Sequence, residues 1–429
     1  MATARRHTVA RELGPGLAET FSTHAYLTDL EITASLPASG ETTAPLNMGQ
    51  EVNAMDPQAR IQAIIDNLVE GDVERGLQVA AYYRGELVVD AWSGLADVAT
   101  GHQVDGETLF TIFSTSKGVV ATVIHLLAER RKLDYDAPIA EYWPAFAANG
   151  KAAITVRHVL THTAGVPQLP EGVGVDEMCD WERTCEAIAG LSPLWEPGSK
   201  TGYHAMTFGW ILGEVARRVD GRAFARIVQE DVCRPLGITS LYFGIPDEVE
   251  PRVATLEGGR LPDGLPPDAL FLRAMPECFW PLGEVFNRPS VRRACIPAGG
   301  GIANARSIAR LYAALAGDVS GAELLPRERV RAATTEQTAD VDLVLGGPIT
   351  KALGFWIGGD SLSPMGERAS AFGHGGAGGS MGFADPEHHL AFGLAKTRLL
   401  MDAPPGGDAA YLVAEEARAA LGISPRKEG

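Results

Sequence analysis

Apolar residues recur at helical spacing at Ile61, Ile64, Ile65 and Leu68, which predicts an amphipathic helix with one buried face. Asp56-Pro57 in front of it offers a natural N-cap and a proline suited to the first helical position. Gly71 is the expected stop. From 76 to 92 the chain is largely apolar except around Arg84-Gly85-Glu86, the signature of two strands joined by a tight turn. Near the other end, 380–383 and 390–397 again read as strands, and a helix over about 408–421 follows. The two ends are expected to build one antiparallel sheet flanked by helices. The long middle, roughly 115 to 340, is helix-rich and should form a second lobe.

Two stretches break the pattern. Residues 1–55 show little periodicity, and 35–45 is rich in Ser, Thr, Gly and Pro, which predicts an extension packed on the body or loose. Met48 and Met55 are alternative starts. Organised structure is expected over 56–425, with a sheet lobe from about 56–113 and 341–425 and a helical lobe from about 114–340. The Pro-rich loop 257–295 carries Phe271, Phe279, Trp280, Leu282 and Phe286. Those apolar side chains either cover a pocket or staple the loop down.

Composition then narrows the function. A chain of 429 residues with 45% hydrophobic and 21% charged residues buries an ordinary globular core. The formal net charge of −17 argues against a nucleic-acid surface and against docking on anionic lipid. The five cysteines, Cys179, Cys185, Cys233, Cys278 and Cys295, include no C-x-x-C pair, so reduced thiols in the cytoplasm are expected. No run approaches the ~18 apolar residues of a membrane span. Arg5 and Arg6 are followed by no apolar stretch, so an export signal is not expected.

The candidate chemistry begins at Ser114-Thr-Ser-Lys117, followed by the apolar run 119–124. On a helix, residues three apart share a face. A serine hydroxyl needs a base to become a nucleophile, and a lysine buried in low dielectric loses charge readily enough to serve. Tyr203, flanked by Gly202, can hold a hydroxyl beside that serine and pass a proton if its pKa is lowered. The glycine-rich stretch 373–379 lets substrate lie against main chain and offers an N–H to a developing oxyanion.

Taken in order, Ser114-Thr-Ser-Lys117, 154–165 (ITVRHVLTHTAG), Trp195-Glu-Pro-Gly198, Tyr203, 297–302 (PAGGGI) and His374-Gly-Gly376 resemble the class C β-lactamase-related serine hydrolases. These include D,D-peptidases and family VIII carboxylesterases. The resemblance spans about 56–425. It implies an α+β, β-lactamase/transpeptidase-like fold. It also implies a Ser114 acyl-enzyme, Lys117 and Tyr203 handling its proton, and an oxyanion hole from the N–H groups of Ser114 and Ala377. His374, Gly375, Gly376 and His204 are expected to contact substrate, a small ester or acyl compound. No metal or organic cofactor is implied.

The departures point away from β-lactam substrates. Many relatives carry Tyr-x-Asn where this chain has Tyr203-His204-Ala205, and Lys-Thr-Gly or His-Thr-Gly where it has His374-Gly375-Gly376. The second change removes a cation and a hydroxyl that would hold a substrate carboxylate, unless His374 is charged. Carboxylesterase is therefore the leading expectation. Transfer of the acyl group to an alcohol or amine is the alternative, with β-lactamase or D,D-peptidase behind it and a non-catalytic binding protein last. Oligomeric state leaves no mark in the sequence. Gly378-Gly-Ser380-Met-Gly382 matches G-x-S-x-G but leads into a strand, the wrong context for a nucleophile elbow. His158 and His162 sit at metal-ligand spacing without a third ligand, and His388-His389 reads as a surface turn.

Overall fold

The computed structural model describes residues 56–403 and 406–424, so the expected extension over 1–55 lies outside the described residues. The apolar spacing after Pro57 yields helix α1 (Pro57–Glu70), which buries Ile61, Ile65 and Leu68. Pro57 occupies its first turn, but the Asp56 side chain makes no capping bond. Strands β1 (Gly76–Tyr83) and β2 (Glu86–Asp97) form the expected hairpin. Arg84 and Gly85 at its tip have φ of 51° and 84°, the left-handed pair of a tight hairpin turn. A Cβ at Gly85 would lie 2.2 Å from the Asp318 carbonyl oxygen. β2 continues past Trp92 and pairs with β3 (His102–Gln103).

The hairpin lies beside strands from the far end of the chain. β4 (Trp356–Ile357), β5 (Phe372–Gly375), β6 (Met381–Asp385) and β7 (Leu390–Lys396) complete a seven-stranded antiparallel sheet in the order β3-β2-β1-β7-β6-β5-β4. The central register pairs Val79 with Ala91 on one side and Leu394 on the other. On one face, α1 and α5 (Ala409–Ala420) cover a core that includes Leu77, Val79, Phe383, Phe392 and Val413. On the other face lies α4 (Ala305–Ala316). It belongs by position to the helix-rich middle, yet it packs on the sheet because Gly382 and Gly393 carry no side chain in its path.

The middle of the chain contributes the helices that reach the site. α2 (Ser116–Glu129) is buried from Ser116 through Ala128, as an almost continuously apolar helix must be. α3 (Thr207–Asp220) packs against it. The loop 257–295 contains short helical turns, and Phe279, Leu282 and Phe286 are buried in the main core. Its apolar residues therefore staple it down. All five cysteines are free thiols. Among the described residues, no helix is long and apolar enough to cross a membrane.

Candidate active site

Ser114 lies in a single helical turn, Phe113–Thr115, immediately before α2. Phe113 has φ of 43°, a left-handed conformation that costs a bulky residue energy and needs support. The support is Phe286, whose ring meets it edge-on at 4.9 Å. The turn leaves Ser114 half-buried while Lys117 is fully buried.

Lys117 Nζ lies 2.9 Å from Ser114 Oγ, 2.7 Å from the Ala205 carbonyl oxygen and 3.1 Å from that of Ala298. Burial pushes its pKa well below the usual lysine value, with no opposing charge to restore it. A neutral amine has two hydrogens and one lone pair. The two carbonyls take the hydrogens, which leaves the lone pair for the Ser114 hydroxyl. Lys117 also sits over the Tyr203 ring, 4.7 Å from its centroid.

The Tyr203 phenol lies near enough to Ser114 for that hydroxyl to act on its pKa. Burial raises its pKa, the Ser114 hydroxyl opposes that, and the Asp342 charge adds to it, leaving a net upward shift. This reverses the expectation of a lowered tyrosine pKa: the phenol stays protonated. The backbone around it is held almost group by group. Gly202 N–H donates to His162 O, Tyr203 N–H to Asp342 Oδ1 and His204 N–H to His162 Nδ1, each at 3.0 Å.

The opposite wall is the end of β5 and the turn after it. Gly376 N–H donates to Ser380 O at 2.8 Å. A Cβ at Gly376 would fall 2.2 Å from Ser380 Oγ and 2.4 Å from Ile112 O, so only glycine lets this turn close on the Ser114 turn. Ala377 is half-buried, and its N–H meets no acceptor among the described residues. The beta-lactamase family profile matches residues 61–416. The chain belongs to the beta-lactamase family. It is a serine hydrolase of that superfamily, with a β-lactamase/transpeptidase-like fold.

Within the family, the Esterase/beta-lactamase LipL of Mycobacterium tuberculosis is 36% identical over 341 residues, which is 76% of this chain and 77% of that protein. A family VIII carboxylesterase crystal structure superposes with a TM-score of 0.77 at 33% identity, covering 85% of this chain and 98% of the other. A penicillin-binding protein homologue from Caulobacter crescentus gives the same TM-score at 35% identity, covering 86% and 98%.

The structure brings Ser114, Lys117 and Tyr203 together and sets Gly375, Gly376 and Ala377 in the adjoining strand end and turn. Among the expected substrate contacts, His204 is corrected and His374 loses the charge that would hold a carboxylate. His204 is fully buried. Its Nε2 accepts Val166 N–H at 3.0 Å and its Nδ1 donates to Gly202 O at 2.7 Å. It shapes backbone and is out of a substrate's reach. His374 is also buried, packed on Trp356 at 4.4 Å between ring centroids. Burial and nearby Lys117 push its pKa down to about 3, so it supplies no cation for a carboxylate.

The decoys resolve as structure. Ser380 Oγ donates to Ile112 O at 2.8 Å and lies 3.1 Å from Thr115 Oγ1. His158 Nδ1 accepts Thr155 N–H as part of a helix cap, whereas His162 faces Tyr203, His204 and Phe208. No group of metal ligands exists among the described residues. His388 and His389 form a turn between β6 and β7, bonded to Asp385 and Asp318. Sequence reasoning missed Asp342 and Lys351. They form a buried ion pair at 2.8 Å behind Tyr203, and nothing but an acid and a base nine residues apart in a loop announces it.

Proposed function

We propose that the protein is a carboxylesterase that works through an acyl group on Ser114. The observation that carries this reading is Lys117 Nζ, fully buried with no carboxylate partner and 2.9 Å from Ser114 Oγ. The amine takes the Ser114 proton as Oγ bonds to the ester carbonyl carbon. The carbonyl oxygen becomes an oxyanion held by the N–H groups of Ser114 and Ala377. Tyr203, kept protonated, gives its proton to the departing alkoxide and is reprotonated from Lys117 as the C–O bond breaks. Water then repeats the sequence: its proton goes to the base, its oxygen bonds to the acyl carbon, and Ser114 leaves as the alcohol.

Water is the preferred acceptor because Phe279 and Phe286 of the loop 257–295 are used in the main core and against Phe113. Hydrolysis of β-lactams or D,D-peptides ranks lower because His374 is neutral and buried. The free thiols fit a reducing, cytoplasmic setting. Brief exposure to p-nitrophenyl acetate followed by intact mass measurement is expected to show one acetyl group on wild type and none on Ser114→Ala. An acetyl group on both would overturn the assignment. Faster turnover with a new acetamide when an amine is added would move the reading to acyl transfer.

A further inference from the structure

We propose that the buried Asp342–Lys351 pair is a positioning device for Tyr203, fixing the phenol at Ser114. The inference rests on the reading of Tyr203 as the proton carrier to the leaving group. The two residues stand on a hairpin-like loop, bridged at Thr338–Lys351 and Val341–Pro348, that belongs to neither the sheet nor the helices lining the site. Asp342 Oδ1 accepts three N–H groups: Tyr203 at 3.0 Å, Val344 at 2.9 Å and Leu345 at 2.9 Å. Lys351 Nζ meets Asp342 Oδ2 at 2.8 Å and donates to Thr201 Oγ1 at 3.0 Å. Leu343 N–H donates to Thr201 O at 3.0 Å. The loop thus grips residues 201 and 203 from one side, while His162 grips 202 and 204 from the other.

A merely structural ion pair would be poorly placed here. Burying both charges costs several kcal/mol before their attraction is counted, and an apolar pair would fill the same space. What the pair adds is a fixed anion behind the Tyr203 backbone, which disfavours phenolate through charge repulsion. The other groups near the ring do not compete. Lys117 faces it from α2, His374 from β5, and His162 and His204 from the chain behind it; burial keeps the three imidazoles neutral and pushes the Lys117 amine well below its ordinary pKa. Asp342 and Lys351 are the charged pair next to it, with exposed Asp340 beyond Lys351.

The two halves of the pair should therefore act in opposite directions. Asp342→Asn keeps an acceptor for the N–H groups but removes the anion and leaves the cation. The Tyr203 phenolate midpoint should fall. kcat for p-nitrophenyl acetate should drop about 10-fold, with KM little changed, because a displaced proton carrier affects the chemical step and not binding. Lys351→Met leaves the anion unscreened, and the midpoint should rise. Asp342→Glu keeps the charge and should keep the midpoint near wild type while lowering kcat. The midpoint is read as phenolate absorbance relative to the same protein carrying Tyr203→Phe, with no substrate present.

A wild type that fails to turn over the ester would sink the esterase reading and leave this titration intact. Folded Asp342→Asn with unchanged midpoint and kcat would overturn the positioning role, as would shifts of the same sign in Asp342→Asn and Lys351→Met. If Asp342→Asn does not fold, the direction of the Lys351→Met and Asp342→Glu shifts decides alone.

Discussion

At the scale of single residues, the site depends on one amine that has lost its usual partners. Lys117 finds two carbonyls and a hydroxyl where most buried lysines find a carboxylate. Acylation needs the deprotonated amine, so kcat/KM should rise with pH through a Lys117 pKa well below the ordinary lysine value and then level off. Lys117→Met should remove that limb and cost roughly 10²–10⁴-fold in kcat/KM, without loss of melting temperature. A stopped-flow acylation profile from acid to neutral pH checks both. Ser380→Ala should behave differently. It loses two buried hydrogen bonds, worth about 1 kcal/mol each, and still acylates, as intact mass can show. The meeting of Ser114, Lys117 and Tyr203 was legible in sequence from the S-x-x-K spacing together with the order of the family's motifs. The burial of His204 and His374 was not, because a histidine beside a reactive residue reads alike whether it faces substrate or core.

Among elements, the point of contact that matters most is the turn after β5 against the turn before α2. Gly376 leaves room for Ser380 and Ile112 between them, and a methyl group there meets a backbone oxygen that cannot swing aside. Gly376→Ala should therefore lower both melting temperature and the rate of Ser114 acylation, and a crystal structure of the variant should show the two turns spread apart. Phe286 steadies the same region from the loop 257–295. Phe286→Ala should cost about 3–5 kcal/mol, the usual range for a buried phenylalanine, and denaturant unfolding measures it. The strands and terminal helices were legible because alternation and apolar runs carry their period. The loop holding Asp342 and Lys351 was not. It has no period to read, and its one function is carried by charges that look like surface residues until the fold closes over them.

For the molecule as a whole, buried neutral histidines tie stability to pH. Burial pushes His125 and His204 down to about 4 and His374 to about 3, from the ordinary 6.5. Between those values the unfolded chain binds protons that the folded chain refuses, so stability is greatest above about pH 6.5 and is lost as pH falls toward 4. Melting temperature followed by circular dichroism from pH 7 to 4 should decline steadily, with proton uptake on unfolding. His125 bridges Tyr135 and Leu353 O at 2.7 and 2.9 Å, so replacing it with glutamine should flatten part of that decline.

The sheet order has one more consequence, for a chain still being made on the ribosome. β1 and β2 emerge early, but the other edge of β1 has no partner until β7 is synthesised. At ~5–20 residues per second that wait is roughly 15 to 60 s, during which Leu77 and Val79 border an unpaired, apolar strand edge of the kind that pairs with other chains. Slower initiation, cooler growth or a holdase that covers nascent strands should raise the yield of soluble enzyme more than any change at the site would.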